Sequence, residues 1–176
     1  MPTSETVCVA GITEDSIVDG PGLRAVVFVQ GCPHHCDGCH NPQTHPFEGA
    51  GEKLSVSQIY QRIRRNPLQR GVTLSGGEPF CQPGPLAILA EKLHHDGYDI
   101  AVYTGYTLEQ LMERNDPCSM NLLRWTHVLI DGPFLLSQQD RSLPFRGSRN
   151  QRILDVHASL TRGCAVICDD PAWNPQ

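Results

Sequence analysis

The most reactive side chains of this sequence are three cysteines, Cys32, Cys36 and Cys39, in the segment Cys-Pro-His-His-Cys-Asp-Gly-Cys. Their spacing lets three thiolates converge on one centre if the segment wraps around it. Thiolates are soft ligands that favour zinc or an iron-sulfur cluster. A 4Fe-4S cluster held by three cysteines leaves one iron without a protein ligand, and that iron could bind a substrate. The clustering favours a metal centre, with iron-sulfur ahead of zinc.

Zinc remains an alternative because a structural zinc site needs only one more protein ligand. The neighbouring histidines that could supply it are His34, His35, His40 and His45. The other cysteines are dispersed along the chain, which predicts buried free thiols rather than a second cluster. They are Cys8, Cys81, Cys118, Cys164 and Cys168.

The composition sets limits on compartment and partners. The 176 residues carry 14 basic and 19 acidic side chains, a formal net charge of -5, which argues against bulk nucleic-acid binding. Residues 1–11 lack the pattern of a secretion signal, and no apolar run is long enough to span a membrane. We therefore expect a cytoplasmic protein with reduced thiols that binds neither membranes nor nucleic acid.

The elements that must position the cysteines alternate between strands and helices. A β-branched strand at 24–30 leads into the cysteine loop, and further apolar strands are predicted at 72–74, 100–103 and 125–130. Helices are predicted at 55–66, at 85–96, and from Thr107 until Asp116-Pro117 closes the third one. Two weaker strand candidates follow at 152–156 and 164–167.

This order predicts β/α units around a mostly parallel sheet. A full eight-unit barrel takes about 250 residues, so we expect an α/β fold of the incomplete, TIM-like barrel type, as one domain over residues 1–176. Four strands end in unusual residues, namely the cysteine loop at 31–51, Ser75-Gly-Gly-Glu78, Thr104-Gly105 and Asp131-Gly132. Because parallel strands end at one edge of a sheet, all four should meet there.

These motifs resemble a known superfamily. The Cys-x-x-x-Cys-x-x-Cys loop after a strand, followed by Gly-Gly-Glu-Pro at 76–79, resembles the radical S-adenosylmethionine (SAM) enzymes. The segments 18–24, 27–33 and 39–42 resemble the activating enzymes of glycyl-radical proteins. Tyr103-Thr-Gly-Tyr106, residues 129–132 and Phe-Arg-Gly-Ser-Arg-Asn-Gln at 145–151 are similar to the branch that activates anaerobic ribonucleoside-triphosphate reductase. The resemblance covers about residues 12–156.

The resemblance implies a mechanism. Cys32, Cys36 and Cys39 would hold a 4Fe-4S cluster that reductively cleaves SAM to methionine and a 5'-deoxyadenosyl radical, and this radical would abstract a glycine hydrogen from the reductase. No general base is needed for that step. Reduced flavodoxin or a similar protein would donate the electron. The residues expected to contact SAM are Gly38, Cys39, His40, Gly76, Gly77, Glu78, Thr104 and Asp131; Glu78 would accept from the methionine ammonium or fix its loop.

Two positions depart from the pattern. Gly38 stands where many relatives have an aromatic residue, so its contact with SAM would be through the backbone, and Pro133 stands where activating enzymes of pyruvate formate-lyase carry a lysine. The alternatives are an activase of another glycyl-radical enzyme, such as pyruvate formate-lyase, and a zinc-stabilised binding module without catalysis. Residues 141–176 are predicted to close the SAM site or to dock the partner. The five arginines at 141–162 would form a solvated face or, less favoured, a docking patch for an acidic partner or phosphate.

Overall fold

A computed structural model describes residues 5–175 of the chain, and these contain one mixed sheet. Its strands are β1 (Thr6–Ser16), β2 (Arg24–Val29), β3 (Glu52–Ser55), β4 (Gly71–Gly76), β5 (Asp99–Tyr103), β6 (Val128–Asp131) and β7 (Arg152–Asp155). Their spatial order is β3-β1-β2-β4-β5-β6-β7. The four central strands β2, β4, β5 and β6 are parallel, whereas β1, β3 and β7 pair antiparallel with their neighbours.

Five α-helices connect or follow these strands. They are α1 (Val56–Ile63), α2 (Pro83–His95), α3 (Leu108–Arg114), α4 (Pro117–Trp125) and α5 (Val156–Arg162). The starts of α1 and α3 are fixed by capping boxes. The Ser55 and Thr107 hydroxyls accept from the N–H groups of Gln58 and Gln110, and the side chains of these glutamines accept from the N–H groups of Ser55 and Thr107. Within residues 5–175, no helix is long and apolar enough to cross a membrane.

The core lies on both faces of the sheet. On one face, Leu86, Leu89 and Leu93 of α2 pack with inward side chains of the parallel strands such as Leu74 and Val102. On the other face, a smaller cluster contains Ile130 and Ile153, and the C-terminal segment covers it with Cys168 and Trp173. The central strands are therefore buried on both sides, as expected for parallel strands.

The fold confirms most of the predicted order. The four central strands, their parallel pairing and all three predicted helices are present near the predicted bounds. Asp116-Pro117 was expected only to end a helix, but it also begins α4, because the Asp116 side chain accepts from the Ser119 N–H and caps the new helix. The predicted strand at 164–167 is reduced to an isolated bridge between Leu154 and Ile167.

Several elements were not predicted. They are β1, β3, α4 and α5. The sheet is mixed α/β with a parallel centre, and its outer strands β3 and β7 each have one neighbour. Of the expected domain, residues 1–4 and 176 lie outside the described part of the chain.

Candidate functional site

The cysteine loop begins where β2 ends and is closed at its base by the backbone. The N–H of Gly31 donates to the carbonyl of Thr44 (2.7 Å), and the N–H of Cys32 donates to the carbonyl of His45 (3.1 Å). Gly31 has φ +98, a conformation that favours glycine. The chain therefore leaves the strand, makes a wide turn and returns beside its starting point, so that residues 32–45 form a compact loop.

The three predicted cluster ligands line one cavity of about 400 Å³ at the carboxyl edge of the parallel strands. Cys32, Cys36 and Cys39 are all unpaired thiols. Burial raises the pKa of the Cys32 thiol, and the nearby charges of Glu78, Cys36 and Cys39 raise it further. A cation bound among three thiolates would be favourable, because it neutralises their charges together.

The surroundings of these thiols also fit a cluster. His45, which lines the same cavity, has a buried Nε2 with no hydrogen-bond partner, and the N–H of Asn41 lies 3.4 Å from the Cys39 sulfur. Such N–H contacts tune a metal-bound sulfur. In residues 5–175 no three His, Cys, Asp or Glu side chains are close enough to share a single metal ion. The donor set is three soft thiolates, and the residues present fit an iron-sulfur cluster with one iron left open.

Gly76 and Gly77 lie in the wall of the cavity, Gly76 against the end of β2 and Gly77 against the start of the cysteine loop. A Cβ on Gly77 would stand 2.3 Å from the carbonyl oxygen of Gly31, and one on Gly76 would stand 2.6 Å from the Val29 nitrogen. The N–H of Gly77 donates to the carbonyl of Val29 (2.8 Å). Gly76 is therefore needed for the close approach of β4 to β2, and Gly77 for its close approach to the start of the cysteine loop, whatever the cavity binds.

Glu78 is fully buried and does not line the cavity. Its Oε1 accepts from the N–H of Phe80 (3.0 Å) and the hydroxyl of Thr104 (2.9 Å). Its Oε2 accepts from the N–H of Gly105 (2.9 Å) and lies 2.7 Å from Nε2 of His34. Of the two roles predicted for this carboxylate, the geometry favours fixing its loop, because both oxygens are already engaged by protein donors.

Asp131 is placed in a similar way at the end of β6. Its side chain is 1% exposed, Oδ1 accepts from Nε of Arg152 (2.9 Å), and Oδ2 accepts from the same guanidinium and from the N–H of Leu108 (2.8 Å). Arg152 also pairs with Glu109, and the two acids raise the pKa of its guanidinium. Asp131 therefore joins β6 to α3 and β7, and it is Gly132, not Asp131, that lines the cavity.

Three further predicted residues have different positions. Thr104 lines the cavity and its hydroxyl also accepts from the N–H of Tyr106 (3.1 Å). His40 lines the cavity too, with its ring 5.2 Å from that of Phe134. Gly38 is not part of the lining; it has φ +73, and a Cβ there would stand 3.0 Å from Leu136. The structure therefore brings Thr104 and His40 together with the cysteines and places Gly38 against a neighbouring loop.

A turn at 145–151 forms another part of the cavity wall. The Gln151 side chain organises it, since its Oε1 accepts from the N–H groups of Gly147 (2.9 Å) and Ser148 (3.1 Å), and its Nε2 donates to the carbonyl of Gly132 (3.2 Å). Phe145, Arg146, Gly147 and Gln151 line the cavity. The predicted closing segment thus contributes directly to the site, although no single residue of it was predicted as a ligand contact.

The arginines at 141–162 do not have a common environment. Arg152 is bound to two acids, Arg149 lies 3.8 Å from Asp140, and Arg146 lines the cavity. None of the five remaining cysteines forms a disulfide, and Cys81 and Cys164 are exposed rather than buried as predicted. Burial of part of the Cys81 thiol nevertheless raises its pKa to about 11.

Known proteins with similar sequences resolve the family. The model of a 4Fe-4S single cluster domain matches residues 18–154. The anaerobic ribonucleoside-triphosphate reductase-activating protein of Pasteurella multocida is 39% identical over 146 residues, which is 78% of this chain and 90% of that protein. The proteins of the same name from Salmonella typhi and Enterobacteria phage T4 are 37% and 31% identical, over 77% of this chain and 90% and 86% of their own lengths.

This chain belongs to the family of anaerobic ribonucleoside-triphosphate reductase-activating proteins. The predicted family is confirmed, and so is the assignment of an iron-sulfur domain to the segment that contains the cysteine loop. Among solved structures, the crystal structure of QueE from Escherichia coli has a TM-score of 0.45 at 18% identity and covers 58% of this chain and 53% of that one.

Proposed function

We propose that this chain activates an anaerobic ribonucleoside-triphosphate reductase by forming a glycyl radical on it. The observation that carries the proposal is that three unpaired thiols line one cavity at the carboxyl edge of the parallel strands, within a chain of this family. Cys32, Cys36 and Cys39 would hold the 4Fe-4S cluster. When bound, that cluster supplies one electron to SAM, which divides into methionine and a 5'-deoxyadenosyl radical.

The radical then takes a hydrogen atom from a glycine Cα of the reductase, which leaves 5'-deoxyadenosine and the glycyl radical. Because a hydrogen atom and not a proton is transferred, the chain needs no general base at the cavity. What it must supply is orientation and exclusion of water. The exposed edge of Gly76 and Gly77, together with Thr104, provides a wall that approaches SAM through backbone and small polar groups.

We propose that the Glu78 and Asp131 carboxylates stabilise the segments that form this wall without contacting SAM themselves. Glu78 holds His34 of the cysteine loop and Gly105 after β5 on one carboxylate. Asp131 holds the start of α3 and the strand β7. The two buried carboxylates therefore fix the cysteine loop and the loops after β4, β5 and β6 relative to one another. A ligand held between these four loops would meet a preformed site.

A protein substrate must present its backbone to the cavity, so the cavity has to be open. We propose that residues 1–176 form a single domain whose sheet is an incomplete barrel, and that the open side admits the glycine-bearing segment of the reductase. Exposed apolar side chains such as Val18 and Leu136 lie near this side, Val18 in the lining itself and Leu136 beside Gly38. Residues 141–176 would close the site around SAM through the turn at 145–151.

The test is electron paramagnetic resonance of the reductase after anaerobic incubation with the reconstituted chain, SAM and a one-electron reductant. We expect an organic radical on the reductase and an equivalent of 5'-deoxyadenosine, and neither product with the Cys36→Ala variant. Reduced flavodoxin should replace the chemical reductant. A radical on pyruvate formate-lyase and none on the reductase would overturn the choice of partner. A chain that is colourless after anaerobic reconstitution and contains zinc and no iron would overturn the enzymatic function itself.

A further inference from the structure

Phe145, the first residue of the turn at 145–151, has a backbone conformation that is unfavourable for its residue type. Its φ is +54, in the left-handed region that bulky residues rarely adopt. Such a conformation persists only where the surrounding contacts hold it. Because Phe145 lines the cavity, the contacts that hold its backbone also determine the shape of this part of the wall.

Two aromatic side chains from distant parts of the chain hold Phe145. The hydroxyl of Tyr103, at the end of β5, donates to the Phe145 carbonyl (2.8 Å). The ring of Trp173, in the C-terminal segment, packs edge-on against the Phe145 ring with the centroids 5.4 Å apart, which is a favoured geometry for an aromatic pair. Trp173 is 3% exposed. The turn therefore begins at a residue fixed between a central strand and a buried indole.

The same indole contacts a second segment of the cavity wall, the β1–β2 turn at 17–23. This turn contributes Val18 and Asp19 to the lining. A Cβ on Gly20 would stand 2.7 Å from Cη2 of Trp173. The guanidinium carbon of Arg24, at the start of β2, lies 5.2 Å from the centre of the indole. One buried side chain thus joins two wall segments that are far apart in the sequence.

The backbone of the C-terminal segment is attached to the sheet independently of the Trp173 side chain. After α5 the chain returns beside β7. There the N–H of Asp155 donates to the carbonyl of Val166 (2.9 Å), and the N–H of Cys168 donates to the carbonyl of Ile153 (2.9 Å). A substitution that removes the indole should therefore change the contacts of the wall and leave the segment in place.

We propose that Trp173 is a positioning residue of the candidate site, which holds Phe145 and the β1–β2 turn at a fixed separation. For the identity of the ligand, SAM, the inference rests on the proposed function. Without the indole, the two wall segments lose their common contact and Phe145 can leave its left-handed conformation. The cysteine loop should not change, because its base is closed by the backbone bonds of Gly31 and Cys32. Trp173 lies outside residues 18–154, which the family model matches.

The first measurement is anaerobic hydrogen exchange of the backbone amides in the full-length, reconstituted protein. Trp173→Leu keeps an apolar side chain and removes the ring. We expect residues 17–23 and 145–151 to exchange about 2- to 10-fold faster, as the loss of one aromatic contact predicts. Residues 31–45 of the cysteine loop should change by less than about twofold, because local opening there does not involve the indole.

Two further variants make this measurement selective. Trp173→Phe keeps a ring beside Phe145 but is too short to reach Gly20, so it should restore the protection of 145–151 and not that of the β1–β2 turn. Trp125→Leu is the matched control, because Trp125 packs on the opposite face of the sheet beside His94 of α2. It should leave exchange in both wall segments unchanged. If Trp173→Leu does not fold, the selective change expected for Trp173→Phe decides the question.

The second measurement is the KM for SAM in 5'-deoxyadenosine formation. We expect Trp173→Leu to raise this KM about 3- to 10-fold, because a loosened wall must be ordered on binding, and to change kcat by less than about twofold. Equally faster exchange throughout the chain, unchanged exchange in both wall segments, or a lower kcat with unchanged KM would overturn the inference. If the unsubstituted protein cleaves no SAM, the proposed function fails, whereas the exchange pattern still tests the role of Trp173.

Discussion

The substitution Glu78→Gln tests whether a buried carboxylate holds the site together. It replaces one carboxylate oxygen by an NH₂ group and changes the shape of the side chain little. One oxygen accepts from the N–H of Phe80 and the other from the N–H of Gly105. Whichever way the new amide is oriented, its NH₂ group faces one of these backbone donors. At least one buried N–H therefore loses its acceptor.

The expected loss of stability follows from the number of buried N–H groups that lose their acceptor. A buried donor left without an acceptor costs about 1–3 kcal/mol, and the loss of the charge weakens the bonds that remain. We expect the free energy of unfolding to fall by about 2–3 kcal/mol. With an m-value of about 2 kcal/mol/M in urea, the unfolding midpoint should fall by about 1–1.5 M. His34 should also be released from the carboxylate, which loosens the cysteine loop.

The assay is urea unfolding of the metal-free protein, followed by tryptophan fluorescence, so that loss of a cluster does not contribute. Glu109→Gln is the control, because the Glu109 carboxylate is likewise bound to a side-chain donor, Arg152, but is 56% exposed. An exposed pair contributes about 0–1 kcal/mol, so the control midpoint should fall by less than about 0.5 M. A Glu78→Gln midpoint no lower than that of the control would refute the role of the buried carboxylate.

Two further substitutions test the walls of the cavity. Gly77→Ala places a Cβ 2.3 Å from the Gly31 oxygen, so it should lower the free energy of unfolding by about 1–3 kcal/mol and reduce the iron bound per chain. Gly11→Ala is the control, because a Cβ at Gly11 meets nothing within 4 Å, and it should change neither quantity. Equal iron content in both variants would contradict this packing. Cys36→Ala should abolish SAM cleavage, measured as 5'-deoxyadenosine, and leave the circular dichroism spectrum unchanged, because its loop lies outside the buried strands. Cys81→Ala should retain cleavage, and retained cleavage in Cys36→Ala would exclude the cluster assignment.

The predictable part of the fold is the part with a continuous apolar pattern. β2 reads Arg-Ala-Val-Val-Phe-Val and is buried along almost its whole length, so composition alone indicates a strand. β1 is different, because polar residues interrupt it, its burial is irregular, and its register with β2 shifts twice. A bulged antiparallel strand has no clean alternation to detect.

The missed helix α4 has another cause. A proline after a helical segment is usually taken as a stop, since it cannot donate the next hydrogen bond. Proline is also favoured in the first turn of a helix, where that donor is not needed. Asp116-Pro117 therefore ends one helix and begins the next, with Asn115 in the left-handed conformation between them at φ 45. The pair Asp116-Pro117 is itself a helix-start signal, and the apolar positions Leu122 and Leu123 are consistent with the second helix.

The position of the candidate site was predictable from the sequence, but the direction in which each of its side chains points was not. The sequence places Glu78, Thr104 and Asp131 after successive parallel strands, and the structure does bring their segments to one edge. Whether a side chain faces the cavity depends on donors from distant parts of the chain. The Glu78 carboxylate points away from the cavity because it accepts three hydrogen bonds behind the wall. The donors are the Thr104 hydroxyl and the Gly105 N–H, after the next strand, and the N–H of Phe80. Such contacts leave no local pattern in the sequence.

The polar construction of this edge follows from what the cavity must do. Under the proposed function the cavity admits a cosubstrate and a protein backbone, so it cannot be filled with apolar side chains and its loops cannot be held by packing against one another. Buried carboxylates replace that packing, since Glu78 and Asp131 each bind donors from two or more segments. The half-buried Gln151 accepts from the N–H of Gly147 in its own turn and donates to the carbonyl of Gly132. The apolar core lies elsewhere, on the two faces of the sheet. Substitution of these acceptors should therefore loosen the cavity while the sheet and its helices remain folded.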